Sequence, residues 1–307
     1  MNKVLITAPC HPVLKERLLN AGYSVMDLPK ISQAEFEACI TDIHGLILST
    51  RIKVTAQVLE SAVRLNWIGR LGSGLELIDL EAAKKLGINV HSSPEGNRDA
   101  VGEHALGILL GLMHNINRSY LQIKDGHWIR DANRGIELSG KTVGIIGFGN
   151  TGQAFARVLK GFKVSVLAHD KYLSGFGDSE VSEVSLNELL QESDVVSLHL
   201  PLNEETIHYA NQPFFNQLKK KPFFLNTSRG KIHETGALIE ALKQGMISGA
   251  GLDVLENEDL SSYTENEKSD LSFLLSDSRV IITPHIAGYS VESFYKMSQI
   301  LADKLGI

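Results

Sequence analysis

Residues 143–159 read VGIIGFGNTGQAFARVL, and the way this stretch folds decides the architecture of the whole chain. A branched apolar run leads into three glycines, Gly147, Gly149 and Gly152, and a helix-forming segment follows. Glycines scatter into G-x-G-x-x-G patterns in many turns, but a strand before and a helix after are the context that a dinucleotide-binding loop requires. Gly147 then permits the tight turn, Gly149 lets the backbone approach a pyrophosphate, and Gly152 lets helix and strand pack closely. Asn150 leads into a helix expected at 151–160, opened by Thr151, whose first amides face the anion. The next apolar run, KVSVLAHD, ends in Asp170, eighteen residues past Gly152. A carboxylate there accepts hydrogen bonds from a ribose diol and repels a 2′-phosphate, which predicts NAD as the cofactor.

The same alternation continues outward from this loop. Downstream, DVVSLHLP, PFFLNTS, SGAGLDV and RVIITPH have strand length. Upstream, KVLITAP, YSVMDL, HGLILST, LNWIGRLG and INVHSS alternate with helical stretches. Apolar runs of strand length joined by 3.6-period segments predict parallel sheets covered on both faces. The expected fold class is α/β in two domains, a Rossmann-type doubly wound parallel sheet inserted into a flavodoxin-like α/β substrate domain. Its boundaries are expected at 1–96 plus 286–307 for the substrate-binding domain and 97–285 for the NAD-binding domain. The Ser-capped terminal helix, SVESFYKMSQILADKLGI, is expected to return to the first domain. From about residue 97 one long helix is predicted, in which Val101, Ala105, Ile108, Leu109 and Leu112 recur at helical spacing. Residues 256–278 are polar and read as a surface excursion.

Composition narrows the partners. The 307 residues, enough for about two domains, include 30 basic and 36 acidic side chains for a formal charge of −6. No basic run stands out, which speaks against nucleic acid or an anionic membrane. No apolar segment has the length of a membrane span, and the N-terminus lacks the long apolar region of a signal peptide. Cys10 and Cys39 form no CxxC pair and no disulfide framework, so a cytoplasmic protein is expected. No Cys/His cluster has metal-ligand spacing, so no metal is expected.

Three later stretches each place polar groups just after a predicted strand, where open α/β sheets meet their ligands. They are Arg229 in FFLNTSRGK, Asp253, Glu256 and Glu258 in GLDVLENEDL, and His285 in TPHIAGYS. Singly these read as a surface cation, loop acids and a loop imidazole; together they can converge on a nicotinamide. GFGNTG, NTSRGK, GAGLDVLENE and TPHIAGYS, in this order and spacing, resemble the D-isomer-specific 2-hydroxyacid dehydrogenase family. GRLGSGLELID and SPEGNRDAVGEHALGILL extend the likeness over nearly the whole chain, which looks most like the short bacterial D-3-phosphoglycerate dehydrogenases.

The resemblance implies catalytic roles for Arg229, Glu258 and His285, the glutamate being the one five residues beyond Asp253 and not the nearer Glu256. The family usually carries Pro after that glutamate; Asp259 stands here, so a looser turn is expected. Cofactor contacts are implied for Gly147, Gly149, Asn150, Thr151, Gly152, Asp170, His199, Pro201, Thr206, Thr227, Ser228, Asp253 and Gly288. A carboxylate-binding loop is implied at Gly72, Ser73 and Gly74, with Arg70 just before it. A second anion-binding arginine of the phosphoglycerate enzymes falls near Ser49, where the nearest cation is Arg51. A homodimer through the Rossmann domain and the long helix near 97–118 is expected, with no C-terminal regulatory domain. His104 and His114 read as packing or interface residues, and Trp128 as an interface or core anchor.

The chemistry follows from charge. Oxidising a secondary alcohol needs a base for the hydroxyl proton, and imidazole titrates near neutrality, which suits His285. Glu258 would orient the ring and stabilise the imidazolium, while Arg229 would clamp the carboxylate and polarise the adjacent carbonyl in reverse. Asp253 would accept from the nicotinamide carboxamide. The expected reaction is hydride transfer between NAD and a D-2-hydroxy acid, first of all 3-phosphoglycerate to 3-phosphohydroxypyruvate in serine biosynthesis. A hydroxypyruvate or glyoxylate reductase, or a 4-phosphoerythronate dehydrogenase, is the enzymatic alternative; an NAD-sensing binding protein is the reading of a different class.

Overall fold

The computed structural model describes residues 2–307. The first sheet holds β1 (Lys3–Ile6), β2 (Ser24–Asp27), β3 (Gly45–Leu48), β4 (Trp67–Arg70) and β5 (Asn89–Ser92). It is parallel throughout, in the order β2-β1-β3-β4-β5, which is the flavodoxin-like order. The second holds β6 (Thr142–Ile146), β7 (Ser165–His169), β8 (Val181–Glu183), β9 (Val195–Leu198), β10 (Phe223–Asn226), β11 (Gly249–Leu252) and β12 (Val280–Ile282). It too is parallel, ordered β12-β11-β10-β9-β6-β7-β8. The winding reverses between β6 and β9, the switch point at which such sheets bind ligands. Every residue of β3, β9 and β11 is buried, because helices cover both faces of each sheet and no strand face is left to alternate with water.

Helices α1 (Pro12–Asn20), α2 (Gln33–Cys39), α3 (Ala56–Ser61) and α4 (Leu80–Lys85) connect the first sheet. After them come α5 (Pro94–Met113) and α6 (Ile116–Lys124), then α7 (Asn150–Leu159), α8 (Leu186–Glu192), α9 (Gln212–Asn216), α10 (Thr235–Lys243), α11 (Glu265–Ser276) and α12 (Val291–Leu305). The chain divides into two compact units, one running up to Arg98 and resuming at Tyr289–Ile307, the other Asp99–Gly288. In the first, α12 returns to the sheet: Leu301 and Ala302 are fully buried in one cluster with Val4, Ile6, Leu14 and Ile47. In the second, Ala105, Ile108, Leu109 and Leu112 of α5 pack into a cluster with Val143, Ile145, Leu225 and Ile281. Glycine makes that approach possible, since a Cβ on Gly251 would lie 2.3 Å from Ile108.

Three elements differ from the sequence reading. The long helix is two helices, broken at Asn115, which takes a left-handed φ of 53°. Asn tolerates that conformation, and the carbonyl released by the break is taken by a returning loop, Ile136 N donating to Met113 O at 2.8 Å. The polar stretch at 256–278 contains the twelve-residue α11, started by a Thr264–Glu267 capping box and anchored by buried Leu274. Edge strand β8 was not anticipated at all. Trp128 is not a core anchor, being 83% exposed.

Candidate active site

The carboxyl ends of three adjacent strands, β10, β11 and β12, carry the polar residues. His285 follows β12 in a left-handed conformation, φ 55°, which a non-glycine residue holds only where its surroundings impose it. Asp253, at the end of β11, does the imposing. Its backbone O accepts His285 N at 2.7 Å. Its carboxylate accepts Thr283 Oγ1 at 2.5 Å, Ile286 N at 2.9 Å and Ala287 N at 2.7 Å. Burial alone would push this carboxyl up, and the hydrogen bonds outweigh it, holding the pKa below the usual range. His104, on α5, donates from Nε2 to Thr283 Oγ1 at 2.9 Å and lies 3.5 Å from Asp253 Oδ1. His104 thus supports the turn that presents His285.

The two candidate glutamates separate cleanly. Glu258 Oε2 lies 2.9 Å from His285 Nδ1. Glu256 faces elsewhere, with Oε2 2.8 Å from His208 Nε2 and Oε1 accepting Thr235 N at 2.6 Å at the start of α10. Around Glu258 the turn is tied down and not loose. Asn257 Oδ1 accepts Asp259 N at 3.0 Å, Asp259 Oδ1 accepts Ser261 N at 3.1 Å, and Tyr263 OH donates to Asn257 O at 2.7 Å. Side-chain bonds supply here what the ring of a proline would.

Arg229 follows β10 in extended backbone, half-buried, with Nη1 donating to Ser228 O at 2.7 Å. Fully buried Asn226 shapes this loop: Nδ2 donates to Arg229 O at 2.9 Å, and Oδ1 accepts Ser228 N at 3.0 Å and Ser228 Oγ at 2.9 Å. The hydroxyl of Thr227, by contrast, is buried with no hydrogen-bond partner among the described residues.

The glycine loop behaves as its spacing requires. Gly147 has φ 90°, and a Cβ there would lie 2.4 Å from His199 O; one on Gly152 would lie 2.1 Å from Gly147 O. Gly149 is different, since nothing lies within 4 Å of where its Cβ would be. It stands as the N-cap of α7 with no side-chain cap, ahead of Asn150 and Thr151. Open space over uncapped helix amides fits a pyrophosphate. Asp170, after β7, accepts Phe148 N at 2.8 Å, Tyr172 N at 2.9 Å and Leu173 N at 3.0 Å. Burial would raise its carboxyl; the three amides prevail and lower it. A cavity of about 490 Å³ opens beside it, lined by Lys171, Tyr172, Glu183 and Glu188 among others. His199 is buried against Phe155, with Nε2 2.9 Å from Ser197 Oγ and Nδ1 3.3 Å from Thr151 Oγ1. Burial lowers it to about 3, so the ring is neutral. Thr206 Oγ1 donates to Pro201 O at 2.6 Å, and Gly288 follows the Asp253-bound turn.

In the first unit, Arg70 is buried and Nη1 donates to Leu71 O at 2.6 Å. Gly72, at φ 117°, leaves room for that guanidinium, because a Cβ would lie 1.7 Å from Arg70 Nη1. Gly72 N donates to buried Ser93 Oγ at 3.1 Å; Ser73 is exposed and Gly74 half-buried. The guanidinium of Arg51 is held by the main chain of its own unit. It donates to three main-chain carbonyls, Pro29 O at 2.6 Å, Thr7 O at 3.1 Å and Ile31 O at 3.4 Å.

Reading strand ends for polar residues finds Arg229, Glu258 and His285 but not the residues bonded around them, His104, Thr283 and Asn226. Asn226 left one signal, a lone amide closing the otherwise apolar strand FFLN.

Residues 106–287 match the D-isomer specific 2-hydroxyacid dehydrogenase, NAD binding domain. The chain belongs to that family, whose members are NAD-dependent dehydrogenases of D-2-hydroxy acids. It is 33% identical over 303 residues to a hydroxypyruvate reductase of Thermotoga maritima, covering 99% of this chain and 97% of that one. It is 34% identical over 298 residues to the D-3-phosphoglycerate dehydrogenase of Homo sapiens, covering 95% of this chain but only 54% of that protein. It thus spans about half the length of the phosphoglycerate dehydrogenases it matches. Among solved structures, D-lactate dehydrogenase from Aquifex aeolicus complexed with NAD and lactic acid superimposes with a TM-score of 0.85 at 29% identity, covering 99% of this chain and 94% of that one.

Proposed function

We propose that this protein reduces a short, unphosphorylated 2-oxo acid, such as hydroxypyruvate or glyoxylate, to the D-2-hydroxy acid with NADH. The observation that carries the chemistry is the His285–Glu258 pair, 2.9 Å apart, with Arg229 at the end of β10 in the same sheet. Bound NADH supplies the hydride. His285 gives a proton to the carbonyl oxygen as it becomes a hydroxyl, and takes one back in the oxidative direction. Glu258, bonded to Nδ1, fixes the ring so that Nε2 is the atom that exchanges the proton. Arg229 holds the carboxylate. Asp170 would hold the ribose diol, Thr227 Oγ1 would find its partner on the dinucleotide, and the amides of α7 would hold the pyrophosphate.

The preference for an unphosphorylated acid rests on Arg51, whose guanidinium is engaged by three carbonyls. A second reading, 3-phosphoglycerate as substrate, draws support from the D-3-phosphoglycerate dehydrogenases among the relatives and from Arg70 beside the Gly72 loop. Initial rates at the NADH absorbance band decide between them, with NADH and hydroxypyruvate, glyoxylate or pyruvate against NAD and 3-phosphoglycerate. Higher kcat/KM for 3-phosphoglycerate than for every unphosphorylated acid overturns the first reading.

The working unit is a homodimer in this proposal. Helix α6 buries none of its residues and exposes Ile116, Tyr120, Leu121 and Ile123, a face that a second copy would cover. Light scattering on the purified chain and on Tyr120→Glu tests this; a monomeric wild type refutes it. No helix among the described residues is long and apolar enough to cross a membrane.

A further inference from the structure

Behind the Arg229 loop lies a histidine that the chemistry above does not use. His233 follows the 3-10 turn Gly230–Ile232 and precedes α10, and it is fully buried. Its Nδ1 lies 2.9 Å from Asn226 Nδ2. The orientation of that amide is dictated by its neighbours: Asn226 Oδ1 accepts both Ser228 N and Ser228 Oγ, and Nδ2 donates to Arg229 O. Turning the amide over would set its NH2 against the Ser228 N–H. The nitrogen must therefore be the group facing His233, so Nδ1 accepts and the ring proton sits on Nε2. With this bond both N–H groups of the Asn226 amide are placed, one on Arg229 O and one on His233 Nδ1.

The arrangement has an unpaired group. Nε2 of His233 is buried with no hydrogen-bond partner among the described residues. A buried N–H without an acceptor opposes folding, and an apolar side chain of similar size would avoid it. What the histidine supplies in exchange is the Nδ1 acceptor under Asn226. Burial lowers the ring to about 4, which keeps that acceptor unprotonated near neutrality. The same segment is wedged tightly: a Cβ on Gly230 would lie 1.8 Å from Leu255 O and 2.6 Å from Glu256 N. Packing thus fixes the main chain on the far side of Arg229, at Gly230, and Asn226 Nδ2 ties Arg229 O back to the end of β10.

We propose that His233 is a positioning residue for Arg229, acting through Asn226, and that its Nε2–H tautomer is the state that sets the arginine loop. This rests on the reading of Arg229 as the clamp for the substrate carboxylate. Losing the acceptor should loosen the clamp and leave the dinucleotide site in place. His233→Leu is expected to raise KM for the 2-oxo acid about tenfold, the equivalent of about 1.4 kcal/mol, with the Kd for NADH within about twofold of wild type. His233→Asn, whose side-chain oxygen can reach the position of Nδ1, is expected to restore most of the loss. His233→Gln, which places its amide nearer the position of Nε2, is expected not to.

Steady-state kinetics uses whichever 2-oxo acid the wild type reduces best, so an error in the substrate reading leaves the test intact; NADH binding is followed by fluorescence. Equal kinetics for the Asn and Gln variants, or a parallel loss of NADH affinity and thermal stability in both, overturns the proposal. A long-range proton–nitrogen NMR correlation on nitrogen-15-labelled wild type supplies a test free of folding defects. An Nε2–H signature at His233 supports the proposal, and an Nδ1–H signature overturns it.

Discussion

Asp253→Asn probes the placement of His285 most directly. The carboxylate now receives Thr283 Oγ1 and Ile286 N on Oδ1 and Ala287 N on Oδ2. An amide can keep the first two on its single oxygen. Its NH2 then faces the Ala287 N–H, which stands 2.7 Å from the present Oδ2. One hydrogen bond to a charged group is lost, at about 1.5–3 kcal/mol, and the remaining bonds weaken to neutral strength. The expected destabilisation is therefore about 3 kcal/mol, or about 6–12 °C in Tm for a unit of this size. The larger effect should be on turnover. With its turn released, His285 has no reason to hold φ 55°, and a displacement of about 1 Å at a reacting group can lower kcat about 100-fold. Urea melts and single-turnover NADH oxidation measure the two quantities. If Asp253 instead serves the nicotinamide carboxamide, NADH affinity falls while Tm stays put. That outcome, or a variant with wild-type Tm and kcat, refutes the positioning role assigned here.

Other substitutions divide binding from chemistry. His285→Ala and Arg229→Ala should each abolish turnover and leave NADH binding within about threefold, since neither touches the glycine loop; unchanged rates in both would remove the site assignment. Gly152→Ala should destabilise the folded chain, because its Cβ would lie 2.1 Å from Gly147 O, whereas Gly149→Ala, with open space around it, should keep Tm and weaken NADH binding. Calorimetry with and without NADH separates the two; equal Tm losses would show that Gly149 is structural. Acid should destabilise early. His199 and His233 are neutral when folded, lowered by burial from 6.5 to about 3 and about 4. The unfolded chain binds a proton on each as pH falls through 6.5 and the folded chain does not, so stability declines from there down to about pH 4, by about 1.4 kcal/mol per pH unit for each histidine. A urea midpoint that is flat between pH 7 and pH 5 contradicts this.

What was legible in the sequence is what the backbone itself demands. Gly147 and Gly152 are needed because no other residue fits beside His199 O and Gly147 O, and the alternation of apolar runs with helices follows from burying both faces of a parallel sheet. What was not legible depends on which distant group meets which. The asparagine in HNIN tolerates the left-handed turn at 115, but the loop from Ile136 that takes up Met113 O lies over twenty residues on. The T-x-x-E box opening α11 was present, but the polar composition around it hid a helix that buries only Leu274. Arg51 stood where an anion contact was wanted, and only the fold shows three carbonyls holding it.

The same contrast explains Glu258. Two glutamates follow β11, and spacing within one chain cannot say which of them reaches the imidazole. Glu256 is drawn aside because Thr235 N, an open amide at the start of α10, and His208 both need an acceptor there. Two residues on, Asn257 and Asp259 each bind a backbone amide two places ahead, Asp259 N and Ser261 N. Such turns fold the chain back on itself in short steps, and Tyr263 closes the loop onto Asn257 O. Glu258 lies between these two turns, so its backbone is held on both sides while its side chain extends to His285 Nδ1. With Asp in place of Pro at this point, two hydrogen bonds of Asp259 stand where a covalent restraint would, and the Glu258 carboxylate stays within reach because those bonds lie on its own loop.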